Sequence, residues 1–144
     1  MANLMQFDST SIDDLDQICE YCCSIVLPGT IFLLDGEMSA GKTTLISKIF
    51  KKLNIQNISS PTYAIHHVYE FNENKIHHID LHRLENTEDI DSSGIWDFFQ
   101  NPNDIFFIEW AKNIDIKNWP LNFKIINIQI DIIDNFKRQI QIIS

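Results

Sequence analysis

One stretch of the chain has the residue types and the spacing that bind phosphate. Residues Gly36–Thr43 read Gly-Glu-Met-Ser-Ala-Gly-Lys-Thr and match the pattern G-x-x-x-x-G-K-[ST]. Glycines let such a loop curl so that several backbone N–H groups converge on phosphate oxygens, and a following helix directs its positive end at the same anion. We expect ATP as the ligand, with Lys42 at the β- and γ-phosphates and the Thr43 hydroxyl on Mg²⁺. The residues expected to contact the nucleotide are Glu37, Met38, Ser39, Ala40, Gly41, Lys42, Thr43 and Thr44.

Two carboxylates at the ends of mainly apolar segments supply the acids that such a loop needs. Asp80 ends the segment 76–80 and Glu109 ends the segment 105–109, the position where open α/β sheets build their ligand crevice. An acid at this position holds the metal and orders the attacking water. We assign Glu109 to Mg²⁺, directly or through water, and Asp80 to positioning or polarising the water. Lys42 and Asp80 are then the catalytic residues, and the reverse assignment of the two acids stays open.

Two further features lie near these segments. Ser60-Pro61-Thr62 precedes a predicted strand. It is either a switch segment that places an oxygen near the γ-phosphate or an ordinary turn into the strand. Trp110 follows Glu109, and its position alone favours a core aromatic over a cover for the nucleotide site.

The elements that position these residues follow from the hydrophobic pattern. Thr30–Asp35 is an apolar run typical of a strand buried on both faces, and the helix predicted after the loop, Lys42–Leu53, has apolar residues on one side. The other predicted elements are a strand at Leu4–Asp8, a helix at Ile12–Ile25 capped through Ser11 and Asp14, strands at Thr62–Phe71, Lys75–Leu81 and Ile105–Trp110, short helices within Thr87–Phe99, and a terminal hairpin of Phe123–Ile133 and Phe136–Ile143. This order predicts an α/β P-loop fold, with a single mixed, mostly parallel sheet, flanking helices and a C-terminal hairpin.

Size and composition predict one domain over residues 1–144. Apolar residues make up 44% of the chain, enough for a packed core, and the longest apolar runs are too short to cross a bilayer. The first residues lack the features of a signal peptide, so we expect a cytoplasmic protein without a membrane partner. The net charge is −9 and the arginines are Arg83 and Arg138, which argues against a broad surface for RNA or DNA.

The cysteines and histidines have simpler interpretations than metal sites. Cys19 and Cys22 have a C-x-x-C spacing but no second pair, and they recur at helical spacing with Leu15 and Ile18, which predicts thiols facing the core. The five histidines are His66, His67, His77, His78 and His82. Neighbours along a strand point to opposite faces, so we interpret them as ordinary hydrogen-bonded or exposed residues.

Several segments together resemble the tRNA threonylcarbamoyladenosine biosynthesis ATPase family (TsaE). The resemblance covers residues from about 30 to 112 and rests on the loop continued to Thr44 and on four further segments. Those segments are Ser60-Pro61-Thr62-Tyr63, His78-Ile79-Asp80-Leu81-His82-Arg83-Leu84, Gly94-Ile95-Trp96-Asp97-Phe98-Phe99 and Ile108-Glu109-Trp110. The chain differs from the family's usual residues at Ser39, where Gly is usual, and at His82, where Tyr is usual.

The resemblance implies a small Mg²⁺-dependent ATPase that supports the addition of threonylcarbamoyl to adenosine (t6A) in tRNA. In that family partner proteins, TsaD with TsaB, perform the transfer, so tRNA would meet this chain only through the complex. Carried over by position, Thr62 becomes a switch residue, and Asp80, Glu109 and Trp110 become residues of the nucleotide site.

Three other functions fit a phosphate-binding loop. A small-molecule kinase closes an arginine-bearing lid over the phosphate, and only two arginines occur here. A GTPase is suggested by Asp91-Ser92-Ser93-Gly94, but Asn74-Lys75-Ile76-His77 lacks the acid that would recognise guanine. The third is a module that binds ATP as a conformational switch without hydrolysing it.

Overall fold

The computed structural model describes residues 3–9, 14–37, 40–56, 65–84 and 86–144. Within these residues seven strands form one sheet in the order β1-β7-β6-β2-β5-β4-β3. The strands are β1 Leu4–Ser9, β2 Thr30–Gly36, β3 His66–Phe71, β4 Asn74–Asp80, β5 Ile105–Glu109, β6 Lys124–Ile132 and β7 Arg138–Ile143. The helices are α1 Leu15–Ser24, α2 Lys42–Lys52 and α3 Thr87–Ser92, with 3₁₀ helices at Ile95–Phe99, Ala111–Asn113 and Ile116–Asn118.

The four central strands β6, β2, β5 and β4 run parallel, whereas β3, β7 and β1 join the sheet antiparallel. β5 is buried along its whole length and β2 along nearly all of it, as their apolar runs predicted. The predicted mixed α/β sheet with flanking helices and a C-terminal hairpin is confirmed. The register pairs Leu34 of β2 with Glu109 of β5, and Glu109 with Asp80 of β4, so the carboxyl ends of the central strands lie side by side.

Each face of the sheet has its own apolar core. α1 and α2 cover one face, and α3 with the 3₁₀ helices covers the other. On α2 the buried apolar residues are Leu45, Ile46, Ile49 and Phe50, while the predicted Leu53 is only partly buried. On α1 Cys19 and Cys22 are fully buried, and burial raises the pKa of the Cys19 thiol to about 11 and that of Cys22 to about 12. Both thiols face the core, as predicted.

Some predicted boundaries differ from the structure. Phe136 was placed in the last strand, but it lies in the loop before β7, where its N–H donates to Asp134 Oδ1 at 2.8 Å and Ile133 N–H donates to the Lys137 carbonyl at 3.0 Å. Trp110 was placed in a strand, but its backbone has φ +60°, which ends β5 at Glu109. Ser11 and the strand residues 62–64 lie outside the described residues.

On the face that α3 covers, a chain of polar side chains joins β3, β4 and the residue before β5. Asp104 Oδ2 accepts from His77 Nε2 at 2.9 Å, and His77 Nδ1 accepts from His66 Nε2 at 2.8 Å. The His66 ring stacks on Phe98 with 3.8 Å between ring centroids. Burial lowers the pKa of His66 to about 4, helped by His77, and it also lowers the pKa of His77 against the opposing effect of Asp104.

We expect these histidines to make the fold less stable in mild acid. The unfolded chain binds protons on histidine near pH 6.5, whereas folded His66 stays neutral down to about pH 4, so the free energy of unfolding falls as the pH drops through this window. Urea unfolding at several pH values measures the effect. His66→Phe keeps the stack on Phe98 and should lose less stability on acidification than the wild type. If the free energy of unfolding fell equally with pH in the two proteins, His66 would not be a source of the acid sensitivity.

Two glycines with the same backbone conformation allow a matched test of packing around β2. Gly29, just before β2, and Gly94 both have φ +79°, where a side chain is strained by about 1–2 kcal/mol. A Cβ on Gly29 would lie 2.8 Å from the Pro102 carbonyl oxygen, whereas one on Gly94 would meet nothing within 4 Å. Gly29→Ala should therefore cost about 1–3 kcal/mol more in unfolding free energy than Gly94→Ala. Equal losses in chemical denaturation would show that the Pro102 contact is easily relieved.

Among the described residues no helix is both long and apolar enough to span a membrane.

Candidate functional site

A cleft of about 300 Å³ opens where the carboxyl ends of β5 and β4 meet the start of α2. This is the crevice position in which open α/β sheets bind ligands. Its walls combine backbone from the glycine loop, two acids, a lysine, a histidine and an indole. The lining residues are Ala40, Gly41, Lys42, Thr43, Thr44, Asp80, His82, Glu109 and Trp110.

Lys42 is the buried cation of the cleft, with 6% of the residue exposed. Its Nζ donates to the Gly36 carbonyl at 2.6 Å and to the Glu37 carbonyl at 3.0 Å, which ties the start of α2 to the end of β2. Burial lowers the pKa of Lys42 below its usual range, and the carboxylate of Glu109 opposes this shift. A buried ammonium held by neutral carbonyls is well suited to exchange these contacts for an anion.

Thr43 and Glu109 meet at the floor of the cleft. The Thr43 hydroxyl donates to Glu109 Oε1 at 2.8 Å, joining the first turn of α2 to the end of β5. The other oxygen, Glu109 Oε2, lies 2.7 Å from His78 Nε2, and only 2% of Glu109 is exposed. A hydroxyl and a carboxylate in contact form a pair of oxygen donors of the kind that Mg²⁺ prefers.

Asp80 lies beside Glu109 because the two residues are register partners at the ends of β4 and β5. Its Oδ1 accepts the His82 backbone N–H at 3.0 Å, and its own N–H donates to the Ile65 carbonyl at 2.9 Å. His82 Nδ1 also lies 3.0 Å from Oδ1, but without the alignment of a hydrogen bond. The carboxylate is half-buried and faces the cleft, so it can accept a hydrogen bond from a bound water.

Trp110 forms one wall of the cleft. Lys42 Nζ lies 4.3 Å from the ring centroid and Lys112 Nζ lies 5.0 Å from it, both within the range of cation–π attraction. The left-handed backbone at Trp110 is costly for a bulky residue. It is held by hydrogen bonds from Trp110 N–H to the Leu34 carbonyl at 3.0 Å and from Lys112 N–H to Asp35 Oδ1 at 2.9 Å. The residue packs partly against the core, as its position predicted, and also lines the cleft.

The C-terminal hairpin of β6 and β7 contacts both ends of the glycine loop. Arg138 Nε at the start of β7 donates to the Ala40 carbonyl at 3.3 Å. A Cβ on Gly36 would lie 2.5 Å from the Ile130 carbonyl of β6, so this position accepts only glycine without a backbone shift. Gly41 is the residue before α2, with φ +109°, and as a glycine it has no side chain that could cap the first N–H groups of the helix.

Three predicted site residues, Met38, Ser39 and Thr62, lie outside the described residues. Conversely, the structure adds contributors that the sequence interpretation missed: His78 behind Glu109, His82 at the rim, and Asp35 with Lys112 beneath Trp110. A signal for His78 existed, because it precedes Asp80 by two positions on one strand and therefore shares its face.

Comparison with known proteins gives consistent results. A family model described as "Threonylcarbamoyl adenosine biosynthesis protein TsaE" matches residues 9–140. A protein from Borreliella burgdorferi, named tRNA threonylcarbamoyladenosine biosynthesis protein TsaE, is 37% identical over 84 residues, which are 58% of this chain and 61% of the relative. This alignment therefore spans less than two thirds of the relative's length. A protein of the same name from a Nostoc species is 32% identical over 117 residues, covering 79% of this chain and 70% of the relative.

Among solved structures, YdiB from Bacillus subtilis superimposes with a TM-score of 0.75 at 20% identity. The superposition covers 100% of this chain and 87% of YdiB. At this identity the likeness shows a common fold.

Proposed function

Because the chain belongs to the TsaE family of threonylcarbamoyl adenosine biosynthesis proteins, we propose that it binds ATP with Mg²⁺ and hydrolyses it in support of threonylcarbamoyl addition to adenosine in tRNA. The observation that supports this most directly is the meeting of three groups in one cleft: the Lys42 ammonium, the Thr43 hydroxyl and the Glu109 carboxylate.

The residues of the cleft fit the two ligands. Lys42 Nζ and the backbone N–H groups at the start of α2 are donors for phosphate oxygens. The Thr43 hydroxyl and the Glu109 carboxylate, which are in contact at 2.8 Å, are hard oxygen donors of the kind that would hold Mg²⁺. Bound Mg²⁺ supplies positive charge that neutralises the phosphate oxygens.

In the proposed reaction each protein group has one task. Lys42 leaves the carbonyls of Gly36 and Glu37 and donates to the β- and γ-phosphate oxygens. Thr43 and Glu109 would hold Mg²⁺, and Asp80 would accept a hydrogen bond from the attacking water and orient it. Trp110 closes the side of the cleft and limits access of bulk water to the phosphates. Met38, Ser39 and Thr62 remain proposed contacts to the nucleotide and its γ-phosphate.

The proposed partners are proteins that resemble TsaD and TsaB, with tRNA contacted through the complex. A net charge of −9 fits a chain that docks on protein and makes no extended contact with RNA.

ATP hydrolysis by the purified chain, alone and with TsaD and TsaB, tests the proposal. Turnover that needs Mg²⁺ and rises with the partners would support it. A turnover rate that does not change when the partners are added would indicate an ATPase that acts outside this complex. No turnover in either case would favour a nucleotide-dependent switch or a kinase.

We expect Asp80→Asn to slow hydrolysis by roughly 100-fold while ATP affinity changes little, because the amide keeps the shape but accepts the water's proton poorly. Single-turnover kinetics and equilibrium titration with ATP separate the two effects. Asp97→Asn, an exposed acid on the 3₁₀ helix Ile95–Phe99, is the control and should turn over normally. An unchanged rate in Asp80→Asn would remove Asp80 from the catalytic residues and favour the reverse assignment of the acids.

A further inference from the structure

We propose that His78 is a positioning residue that fixes the orientation of the Glu109 carboxylate for Mg²⁺. The inference rests on the proposed function, since it concerns how the same site holds its metal.

The geometry gives Glu109 a separate partner for each oxygen. Oε1 accepts from the Thr43 hydroxyl at 2.8 Å and Oε2 accepts from His78 Nε2 at 2.7 Å. The last torsion of a glutamate side chain is broad, so burial alone does not set the plane of the carboxylate. Two hydrogen bonds on opposite oxygens do set it. His78 therefore determines the direction in which Oε1 faces the cleft.

His78 is itself held rigidly behind the cleft. It lies in the interior of β4, two residues before Asp80, and only 3% of the residue is exposed. The Phe50 ring of α2 meets it edge-on, with 6.0 Å between centroids and planes at 87°. These contacts come from the sheet and from α2, the two elements that carry the rest of the site. The position of the His78 Nε2 donor is therefore fixed by those two elements.

A metal held by Thr43 and Glu109 would leave the His78 contact in place, because His78 Nε2 bonds the other carboxylate oxygen. If the Thr43 hydroxyl turns to Mg²⁺, it can no longer donate to Glu109 in the same way, so His78 becomes the main restraint on the carboxylate. His78 does not line the cleft, and its Nε2 already faces Glu109. Direct ligation is therefore disfavoured, as is a role in accepting a proton from the attacking water. Hydrogen-bond partners of metal-binding carboxylates typically contribute 10- to 100-fold in metal affinity.

The adjacent residue on β4 offers a matched control. His77 points to the opposite face, is also buried, and donates to the buried acid Asp104 at 2.9 Å. His77→Met removes a histidine–carboxylate bond of the same kind, but away from the cleft. A general loss of stability is therefore expected in His77→Met and His78→Met alike, whereas a loss of Mg²⁺ affinity is expected only at position 78.

The experiment is calorimetric titration of ATP into each protein, first without metal and then over a series of Mg²⁺ concentrations, with urea unfolding in parallel. In His78→Met, the Mg²⁺ concentration that gives half of the maximal gain in ATP affinity should rise by roughly 10- to 100-fold. The affinity for ATP without metal should be nearly unchanged. His78→Gln retains an N–H donor of similar reach and should restore most of the loss. His78→Asn is too short to reach Glu109 and should behave as His78→Met, which keeps the test usable if the methionine variant fails to fold.

Wild-type Mg²⁺ dependence in both His78→Met and His78→Asn would overturn the inference and leave the proposed function standing. An equal loss of Mg²⁺ affinity in His77→Met would also overturn the inference, because it would indicate a general structural effect. The same holds if His78→Gln fails to recover the Mg²⁺ affinity. A wild-type protein whose ATP binding ignores Mg²⁺ would refute the proposed function and this inference together.

Discussion

Replacing Lys42 with alanine is expected to lower ATP turnover by roughly 100- to 1000-fold, the loss typical of removing one preorganised donor from a buried site. The ammonium is the buried cation of the cleft and lies within hydrogen-bond reach of the loop that would surround the phosphates. Steady-state hydrolysis with saturating Mg²⁺ and ATP measures the effect. Full turnover in the variant would refute the assignment of the loop.

Two further proteins separate chemistry from folding in this experiment. Lys42→Met keeps most of the buried stem but lacks the charge, so it should be as inactive as the alanine variant and closer to the wild type in stability. Lys51→Ala removes an exposed lysine at the other end of α2 and should hydrolyse ATP normally. If Lys42→Met recovered activity, the role of Lys42 would be packing and not charge.

Replacing Glu109 with glutamine is expected to reduce Mg²⁺-dependent hydrolysis by about 100-fold, equivalent to about 3 kcal/mol of lost transition-state stabilisation. The amide can keep one hydrogen bond to His78 or Thr43, so the fold should survive, but the negative charge that holds the cation is gone. The measurement is turnover as a function of Mg²⁺ concentration, in which the variant should also need more metal.

Glu70→Gln is the matched control, because Glu70 is an exposed acid on β3 outside the cleft. It should leave both the rate and the Mg²⁺ dependence unchanged. If Glu109→Gln kept a normal Mg²⁺ dependence, Asp80 would be assigned as the Mg²⁺ ligand, which is the alternative that the sequence left open.

Local patterns in the sequence were sufficient to predict the central elements. The glycine loop between β2 and α2 is encoded within about twenty consecutive residues, so spacing and hydrophobic pattern specify it. The positions of Asp80 and Glu109 at strand ends were also predictable. That they are direct register partners depends on β4 and β5 lying side by side in parallel, which the structure provides.

Contacts between distant segments were not predictable in the same way. His78 and Glu109 are 31 positions apart, and Arg138 reaches the Ala40 carbonyl across 98 positions. Both contacts depend on strand order and on a register that a one-residue slip would destroy. Trp110 was ambiguous for a different reason. Its left-handed backbone, which turns the indole towards Lys42, has no signature in a residue type that usually avoids that conformation.

The position of Trp110 also makes it an intrinsic fluorescence probe of the cleft. Indole emission depends on nearby charge, and the Lys42 ammonium lies 4.3 Å from this ring. A phosphate group that draws Lys42 away would change the electric field at Trp110. The other two tryptophans do not line the cleft: Trp119 is 3% exposed and Trp96 Nε1 donates to Asp91. Occupancy of the cleft can therefore be followed by intrinsic fluorescence in the unlabelled chain, and stopped-flow mixing would time the departure of Lys42 from the ring.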